Sequence, residues 1–491
     1  MSNIDSYFAA RDPLGIKALY YVKTSSGYKF SSSVSELLNL QNVPKKPNID
    51  AMKSMLKSRE VAYEETMYDG IFRVPPGYFI RIQNDKLEHI RYWYPEKIKR
   101  NYNISSSEAS KKLHDLLSKA VDKRIDTLKQ SAFEVSGGLD SSSIVSLLAQ
   151  KVDASNIESY SMQLHGLKCD ESEYVDSIIE KYSISHKKVS CEKLDYYKKY
   201  RLSELYAISS DWPIIVTSAN GLEMFYRMQL DKKNLIITGQ GGDELFGRNE
   251  YGFYELFIRG QFITLYKELK FITKPFHAIK RYLVKPFLGV KILYFLKKIL
   301  KKEKFDSINL RYKILNFTDK IGVSNLALKR DIDNISSVQH ITVADSNFLH
   351  PIESNFNVEF RHPFYDLELV EFSLSLPPKF KYTEGKSKWI LRKAMKGILP
   401  EMILYRKDKA EFSEIVIQQI EAINVNRLLD NAFIVKLGIV NQEDINAIRK
   451  RYDEQKVKRP YHIWGLINLE YWYRFNFEKE SLEDIDKKET V

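Results

Sequence analysis

From Tyr7 to about Trp93, apolar and polar positions alternate in short runs broken by turn residues, the two-residue period of strands that bury one face. Residues 18–22 and 28–32 flank Thr24-Ser25-Ser26-Gly27 and predict one hairpin, and residues 78–93 around Asn84-Asp85 predict a second. The polar run 103–107 then leads into a Ser-capped amphipathic helix with Leu113, Leu116, Leu117 and Val121 on one stripe. Beyond it the pattern changes to strand alternating with helix: strand 132–135, a tight loop, helix 141–150, strand 157–164, helix 170–182, and a later strand 235–238 before a Gly-rich turn. That alternation predicts a parallel sheet with flanking helices, an α/β fold. From 251 onward the pattern is mostly helical, closing with residues 368–475. The predicted organisation is a small β-rich unit over 1–95 and an α/β domain over 105–475, interrupted by a helical insertion at about 250–340.

Length supports this division, because 491 residues exceed what one ordinary core holds. Cys169 and Cys191 are the only cysteines, at a spacing that matches no zinc or redox motif, which excludes a disulfide scaffold and points to a reduced, cytoplasmic setting. Residues 1–14 carry Asp5, Arg11 and Asp12 and no apolar run, so no signal peptide is expected, and no apolar stretch is long enough to span a bilayer. The net charge is +12, but thirteen Lys or Arg stand against Glu268 and Glu303 between Arg259 and Lys304, so nearly all of the excess sits in the insertion. One basic block argues against nucleic acid along the whole body. Such a block is ordinarily a surface subdomain with solvated lysines, and the sharper alternative is peripheral docking of 259–304 on an acidic peptide or membrane surface.

The strongest chemical signal is Val135-Ser136-Gly137-Gly138-Leu139-Asp140-Ser141-Ser142, between a predicted strand and a predicted helix. Glycines let a backbone turn tightly against an anion, hydroxyls add donors, and a helix start supplies unpaired N–H groups at the positive end of its dipole. Such a loop cradles phosphate. It is neither a Walker loop, which needs a Lys followed by Ser or Thr after the second Gly, nor a dinucleotide G-x-G-x-x-G. The competing reading is a plain strand-to-helix turn with Ser141 as N-cap.

This string resembles the pyrophosphate loop of the asparagine synthetase family and its ATP-pyrophosphatase relatives, and Ile237-Thr238-Gly239-Gln240-Gly241-Gly242-Asp243-Glu244-Leu245-Phe246-Gly247 resembles that family's second loop. Further similar blocks are Ala10-Arg11-Asp12-Pro13-Leu14-Gly15-Ile16-Lys17, Pro75-Pro76-Gly77, Glu359-Phe360-Arg361-His362-Pro363-Phe364-Tyr365-Asp366, Lys386-Ser387-Lys388 and Arg406-Lys407-Asp408-Lys409-Ala410. The resemblance implies an adenine-nucleotide alpha-hydrolase-like synthetase domain preceded by a truncated, inactive glutaminase-like unit. It implies ATP and Mg²⁺, with Asp140 and Asp243 as metal ligands. ATP would also meet Met162 and the glycines Gly239, Gly241 and Gly242. Lys388 would face the reacting carbonyl and phosphate. A carboxylate would be activated as acyl-adenylate and captured by an amine or ammonia.

Two departures qualify it. Where a complete asparagine synthetase opens with a nucleophilic cysteine this chain has Ser2, with no cysteine before Cys169. Gln240 stands where that family carries Glu, and an amide accepts no proton near neutral pH. The blocks also look similar to β-lactam synthetases, whose incoming amine belongs to the substrate, and to lasso-peptide cyclases, which close a macrolactam on a precursor peptide; a catalytically silent binding subunit is the remaining alternative, which the intact phosphate loops disfavour. The expected partners are therefore a small-molecule or peptide carboxylate, with a precursor peptide, a protease or an ammonia-supplying subunit beside it.

Overall fold

In the computed structural model the described residues are 6–58, 64–125, 127–164, 166–190, 211, 219–247, 252–272, 275–279, 331–332, 353, 356–407, 410, 413–421, 425–454 and 460–480. Among the described residues up to Arg91 there are two three-stranded antiparallel sheets. One has β1 (Tyr7–Ala10) beside β5 (Tyr78–Gln83) and β6 (Lys86–Arg91); the other has β2 (Tyr20–Thr24) between β3 (Gly27–Ser31) and β4 (Ile71–Arg73). Both expected hairpins are present. The β5–β6 turn places Asn84 and Asp85 at φ 50° and 56°, the left-handed pair that matches the twist of adjoining strands. The Arg11-Asp12 block is structural: Arg11 is buried and donates to the carbonyls of Gly15, Lys17 and Val74 at 2.9–3.0 Å, while Asp12 accepts from the N–H groups of Leu14, Ile16 and Lys17.

The amphipathic helix runs Ser106–Asp122 and begins with a capping box, Ser105 accepting from the Glu108 N–H and Glu108 reaching back to the Ser105 N–H. Its stripe Leu113, Leu117 and Val121 is fully buried, with Leu116 at the edge. Five parallel strands follow: β7 (Ser131–Glu134), β8 (Glu158–Gln163), β9 (Ser185–Ser190), β10 (Leu235–Ile237) and β11 (Glu359–Arg361), in the order β11-β10-β7-β8-β9. The first helix after β7 spans Leu139–Ala149, two residues earlier than the apolar pattern indicates, and is apolar on nearly every side because it is buried between the sheet and the helix Ser106–Asp122. Phe133 and Val135 face that helix side; Ala132, Tyr160 and Ile236 face a second cluster with Met224, Phe225 and Phe360.

The two ends of the chain share a third core. Tyr20, Val22, Met52 and Met67 pack with Val416, Leu428, Trp464 and Trp472 of the closing helices, and Tyr68 donates to Asn476 at 2.8 Å. Of the basic block, the helices Phe262–Leu269 and Pro275–Ile279 are described, and Ile263 and Phe276 are 75% and 86% exposed there; residues 280–304 lie outside the described residues. Among the described residues no helix is long and apolar enough to cross a membrane.

Candidate active site

The chain leaves β7 toward β8 and β9 on one side and leaves β10 toward β11 on the other. Where strand order reverses in this way, a crevice opens outside the carboxyl ends of the two strands. Both Gly-rich segments lie there, residues 135–138 after β7 and 238–241 after β10.

Their glycines hold the two loops against each other. Gly137 sits at φ +69°, where an added Cβ would come within 2.6 Å of Tyr174 Cβ. A Cβ on Gly239 would fall 2.4 Å from the Ser141 nitrogen, one on Gly242 2.3 Å from the Asp140 carboxyl, and one on Gly241, at φ +100°, 2.6 Å from the Tyr365 ring. The second loop therefore rests directly on the first. Gly138, not Ser141, is the N-cap of Leu139–Ala149, so the plain N-cap reading of Ser141 fails: its hydroxyl accepts from the Ser136 N–H at 3.2 Å and lies 3.2 Å from the Ser136 hydroxyl. The Ser142 hydroxyl donates back to the Gly138 carbonyl. These hydroxyls close the loop, and the donors left at the helix start are first-turn N–H groups, which have no acceptor within a helix.

Asp140 and Asp243 converge on one nitrogen. Lys388 Nζ is hydrogen-bonded to Asp140 Oδ2 and lies 2.8 Å from Asp243 Oδ1, the three side chains being 11%, 16% and 45% exposed for Lys388, Asp140 and Asp243. Burial works against the Lys388 charge, but Asp140 and Asp243 outweigh it and hold the ammonium above the ordinary lysine value. Two carboxylates from separate loops meeting at a single cationic point fit a hard divalent ion, which takes one or two carboxylates and completes its shell with phosphate and water. Asp140 and Asp243 would hold Mg²⁺ in this way, and its charge would neutralise phosphate oxygens.

Lys388 has a left-handed backbone, φ 56° and ψ 33°, as N-cap of the helix Trp389–Ala394, a conformation that costs a residue with a side chain roughly 1–2 kcal/mol. Sequence reasoning assigned no role to what holds it there. Arg392 donates from Nε to the Ser387 carbonyl at 2.9 Å and from its terminal nitrogens to the carbonyls of Leu404 and Arg406. Arg406 in turn lies 3.9 Å over the Tyr174 ring, pairs with Glu171 and donates to the Gly137 carbonyl at 3.3 Å. This relay ties the Lys388 turn to the first loop. Arg406 stands inside one of the blocks similar to the family and Arg392 four residues past Lys388, but nothing in their spacing reveals the relay. Glu134, the last residue of β7, was also missed: burial pushes its carboxyl up to about 7, and its only signal is a lone acid in the run Ala132-Phe133-Glu134-Val135.

The remaining expected residues are placed as follows. Val135 continues the sheet, its N–H donating to the Tyr160 carbonyl at 2.9 Å. Met162 lies on β8 against the Ala132–Tyr160–Ile236 cluster. The Gln240 N–H donates to Thr238 Oγ1 at 3.3 Å, and that hydroxyl lies 2.7 Å from His362 Nδ1. Burial lowers His362 to about 3, so the ring is neutral and braces the second loop. An unfolded histidine titrates near 6.5, so between about pH 6.5 and 3 the unfolded chain binds the extra proton and stability falls as pH falls. Denaturant unfolding between pH 7 and 5 is expected to show a loss approaching about 1.4 kcal/mol per pH unit from this group, and the slope should flatten in His362→Gln. An identical slope in the variant would refute the assignment.

Comparison with known proteins relates most of the chain to one family. The model of the family described as asparagine synthase matches residues 112–474, and that of a glutamine amidotransferase domain matches residues 2–93. Asparagine synthetase [glutamine-hydrolyzing] 3 of Bacillus subtilis (strain 168) is 23% identical over 82% of this chain and 64% of its own length. A putative asparagine synthetase [glutamine-hydrolyzing] 2 of Methanocaldococcus jannaschii is 27% identical over 49% of this chain and 46% of its own length. Asparagine synthetase [glutamine-hydrolyzing] 1 of Bacillus subtilis is 22% identical, with 97% of this chain and 76% of its own length covered.

Proposed function

The chain belongs to the asparagine synthase family, and from that premise we propose that it is an ATP-dependent ligase that forms an amide bond. A substrate carboxylate attacks the α-phosphate of ATP, giving acyl-adenylate and pyrophosphate; an amine or ammonia then attacks the acyl carbon and AMP departs. The observation that carries this reading is the convergence of Asp140 and Asp243, one from each loop, on Lys388 at the reversal of strand order. Asp140 and Asp243 would hold the divalent ion, whose charge would screen the phosphates. Lys388 supplies a fixed positive charge where negative charge builds on the acyl centre and on departing AMP. The loop residues 135–142 orient the phosphates through backbone N–H groups. Carboxylate-dependent exchange of labelled pyrophosphate into ATP tests the first step. Its absence across a panel of amino acids and peptide acids would sink the reading.

Gln240 separates two versions of the second step. Asparagine formation from aspartate and ammonia gains from a nearby proton acceptor, which a glutamine amide cannot provide. Macrolactam closure on a precursor peptide, as in the similar lasso-peptide cyclases, delivers its amine on the substrate itself. Gln240 favours the tethered amine. On the ammonia version, Gln240→Glu should raise amide formation within the ~10²–10⁴ range of general-base effects. On the tethered version it adds a negative charge beside Asp243 and the phosphates, and activity should stay flat or fall. We expect the second outcome, and efficient asparagine synthesis from ammonium by the unaltered protein would overturn it.

A further inference from the structure

The helices Gly252–Ile258 and Phe262–Leu269 turn one side inward and the other outward. Phe253, Glu255, Leu265 and Glu268 are buried. The two acids are held there, Glu255 by the Tyr102 hydroxyl and Glu268 by the Glu384 N–H, which it accepts on both oxygens at 2.9 and 3.1 Å. On the outward side Ile258, Phe262, Ile263, Tyr266 and Phe276 are 56–86% exposed. Helical spacing explains the division, since positions 262, 263 and 266 share one stripe and positions 265 and 268 lie off it. Gly260, at φ +69°, makes the turn between the helices, and the Phe257 and Phe262 rings meet edge to face at 5.8 Å across it. The exposed apolar surface is therefore continuous over both helices, whereas apolar side chains on a soluble surface are ordinarily scattered singly.

The charge on this side has one sign. Glu255 and Glu268 are the only acids in 252–279, and both point inward. Lys267 and Lys270 are exposed and have no carboxylate partner among the described residues; Lys270 lies 4.6 Å over the Tyr266 ring, inside the apolar stripe. Arg259 is committed to the Tyr102 ring at 3.8 Å. Beside Phe271 the tip Glu384-Gly385 adds one exposed acid, with exposed Lys386 next to it. From 280 to 304 the sequence continues with nine Lys or Arg and a single Glu. An acidic peptide and a membrane surface both suit that charge, and shape separates them. Ile258, Phe262, Ile263, Tyr266 and Phe276 are absent from the wall of the cavity of about 430 Å³ that the inward side borders. They project from the surface, so a peptide would find no groove to fill, whereas side chains that project can enter a soft, planar interface.

We propose that this outward side docks on an anionic phospholipid surface, with Phe262, Ile263, Tyr266 and Phe276 entering the boundary between headgroups and acyl chains and Lys267 and Lys270 meeting lipid phosphates. Aromatic and aliphatic side chains gain from leaving water there. The lysines keep their ammonium groups at headgroup level while their stems lie along the apolar stripe. Apolar contact alone would not distinguish an anionic surface from a neutral one, and charge alone would not draw Phe276 out of water; the two together select the surface. None of these residues belongs to the Asp140–Asp243–Lys388 group, so the docking face stands or falls apart from the amide-forming reading.

The test sediments the full chain with vesicles of phosphatidylcholine alone and of phosphatidylcholine containing about one-third phosphatidylglycerol. Binding about tenfold or more tighter to the anionic vesicles is the expected result, weakening as salt rises. Ile263→Ser combined with Phe276→Ser should lower that binding by about tenfold or more, with the melting temperature and pyrophosphate exchange of the unaltered protein. Lys267→Gln combined with Lys270→Gln should cost about fivefold for each charge removed and narrow the preference for anionic vesicles. Equal binding to both vesicle types, sedimentation with neither, or undiminished binding in the Ile263→Ser, Phe276→Ser protein would overturn the proposal. So would capture by polyglutamate without vesicle binding, which would make the partner an acidic peptide. A concentration-dependent dimer that ignores vesicles and is lost in the same double variant would overturn it too, and would make the face a contact between two copies of this chain. Anionic-vesicle binding by a protein devoid of pyrophosphate exchange would uphold the docking face and reject the proposed reaction.

Discussion

Replacing Lys388 by Ala is expected to lower amide formation by about 10²–10³, the usual cost of removing one preorganised charge-stabilising donor. The backbone allows a control that most catalytic lysines lack. Lys388 holds φ 56°, so Lys388→Gly removes the same ammonium while relieving the left-handed strain, and Lys388→Ala removes the ammonium and keeps the strain. Both variants should be equally inactive, with the glycine variant more stable than the alanine variant by about 1 kcal/mol. A purely structural lysine would show activity rising with stability in that pair. Recovery of activity in Lys388→Gly relative to Lys388→Ala would therefore count against a direct role.

Gly242→Ala should be nearly as damaging for a different reason. Gly242 opens the helix Gly242–Phe246 without a positive φ, so alanine is a good fit for the backbone. The added methyl instead falls 2.3 Å from Asp140 Cγ and Oδ1 and must push that carboxylate aside. A displacement of about 1 Å at a reacting centre costs on the order of 10²-fold, and pyrophosphate exchange is expected to fall by about that factor in a folded protein. A double-mutant cycle gives the decisive measurement. In an Asp140→Gly background, where the carboxyl and the Cβ that would lie 2.8 Å from the methyl are both gone, Gly242→Ala should cost no further activity; an additive loss would show that the damage lies elsewhere. Gly239 offers no such escape, since its Cβ would meet the Ser141 backbone at 2.4 Å.

The features legible in the sequence were those that neighbouring residues decide. The two hairpins, the Ser cap before the Leu113 stripe and the strand-to-helix alternation depend on local period, caps and turn residues. What escaped depends on residues far apart in the chain. Nothing in the spacing of Arg406 indicates that it reaches the Gly137 carbonyl, nor does a hydroxyl at Ser141 announce that it will be turned inward to Ser136. Glu134 was hidden by the opposite effect. A single acid in a short apolar strand leaves the period intact, and only the enclosing fold turns it into a group that titrates near neutrality.

The core built by Tyr20, Val22, Met52 and Met67 with the helices Ser413–Glu421, Val425–Leu429 and Pro460–Tyr473 also sets a schedule for the nascent chain. The strands leave the ribosome first and the helices that cover them more than three hundred residues later. At synthesis rates of about 5–20 residues per second, that interval is on the order of tens of seconds. Throughout it, Tyr20, Val22, Met52 and Met67 have each other and their near neighbours but lack the helical half of their core, a long wait compared with the microseconds in which a hairpin closes. The parallel sheet, assembled in between, has its own strands order out of sequence, β10 entering beside β7 after β9 has already emerged. Folding of this protein is thus timed by translation at both levels, and its earliest segment is the one that waits longest for a holdase or for its own distant partner.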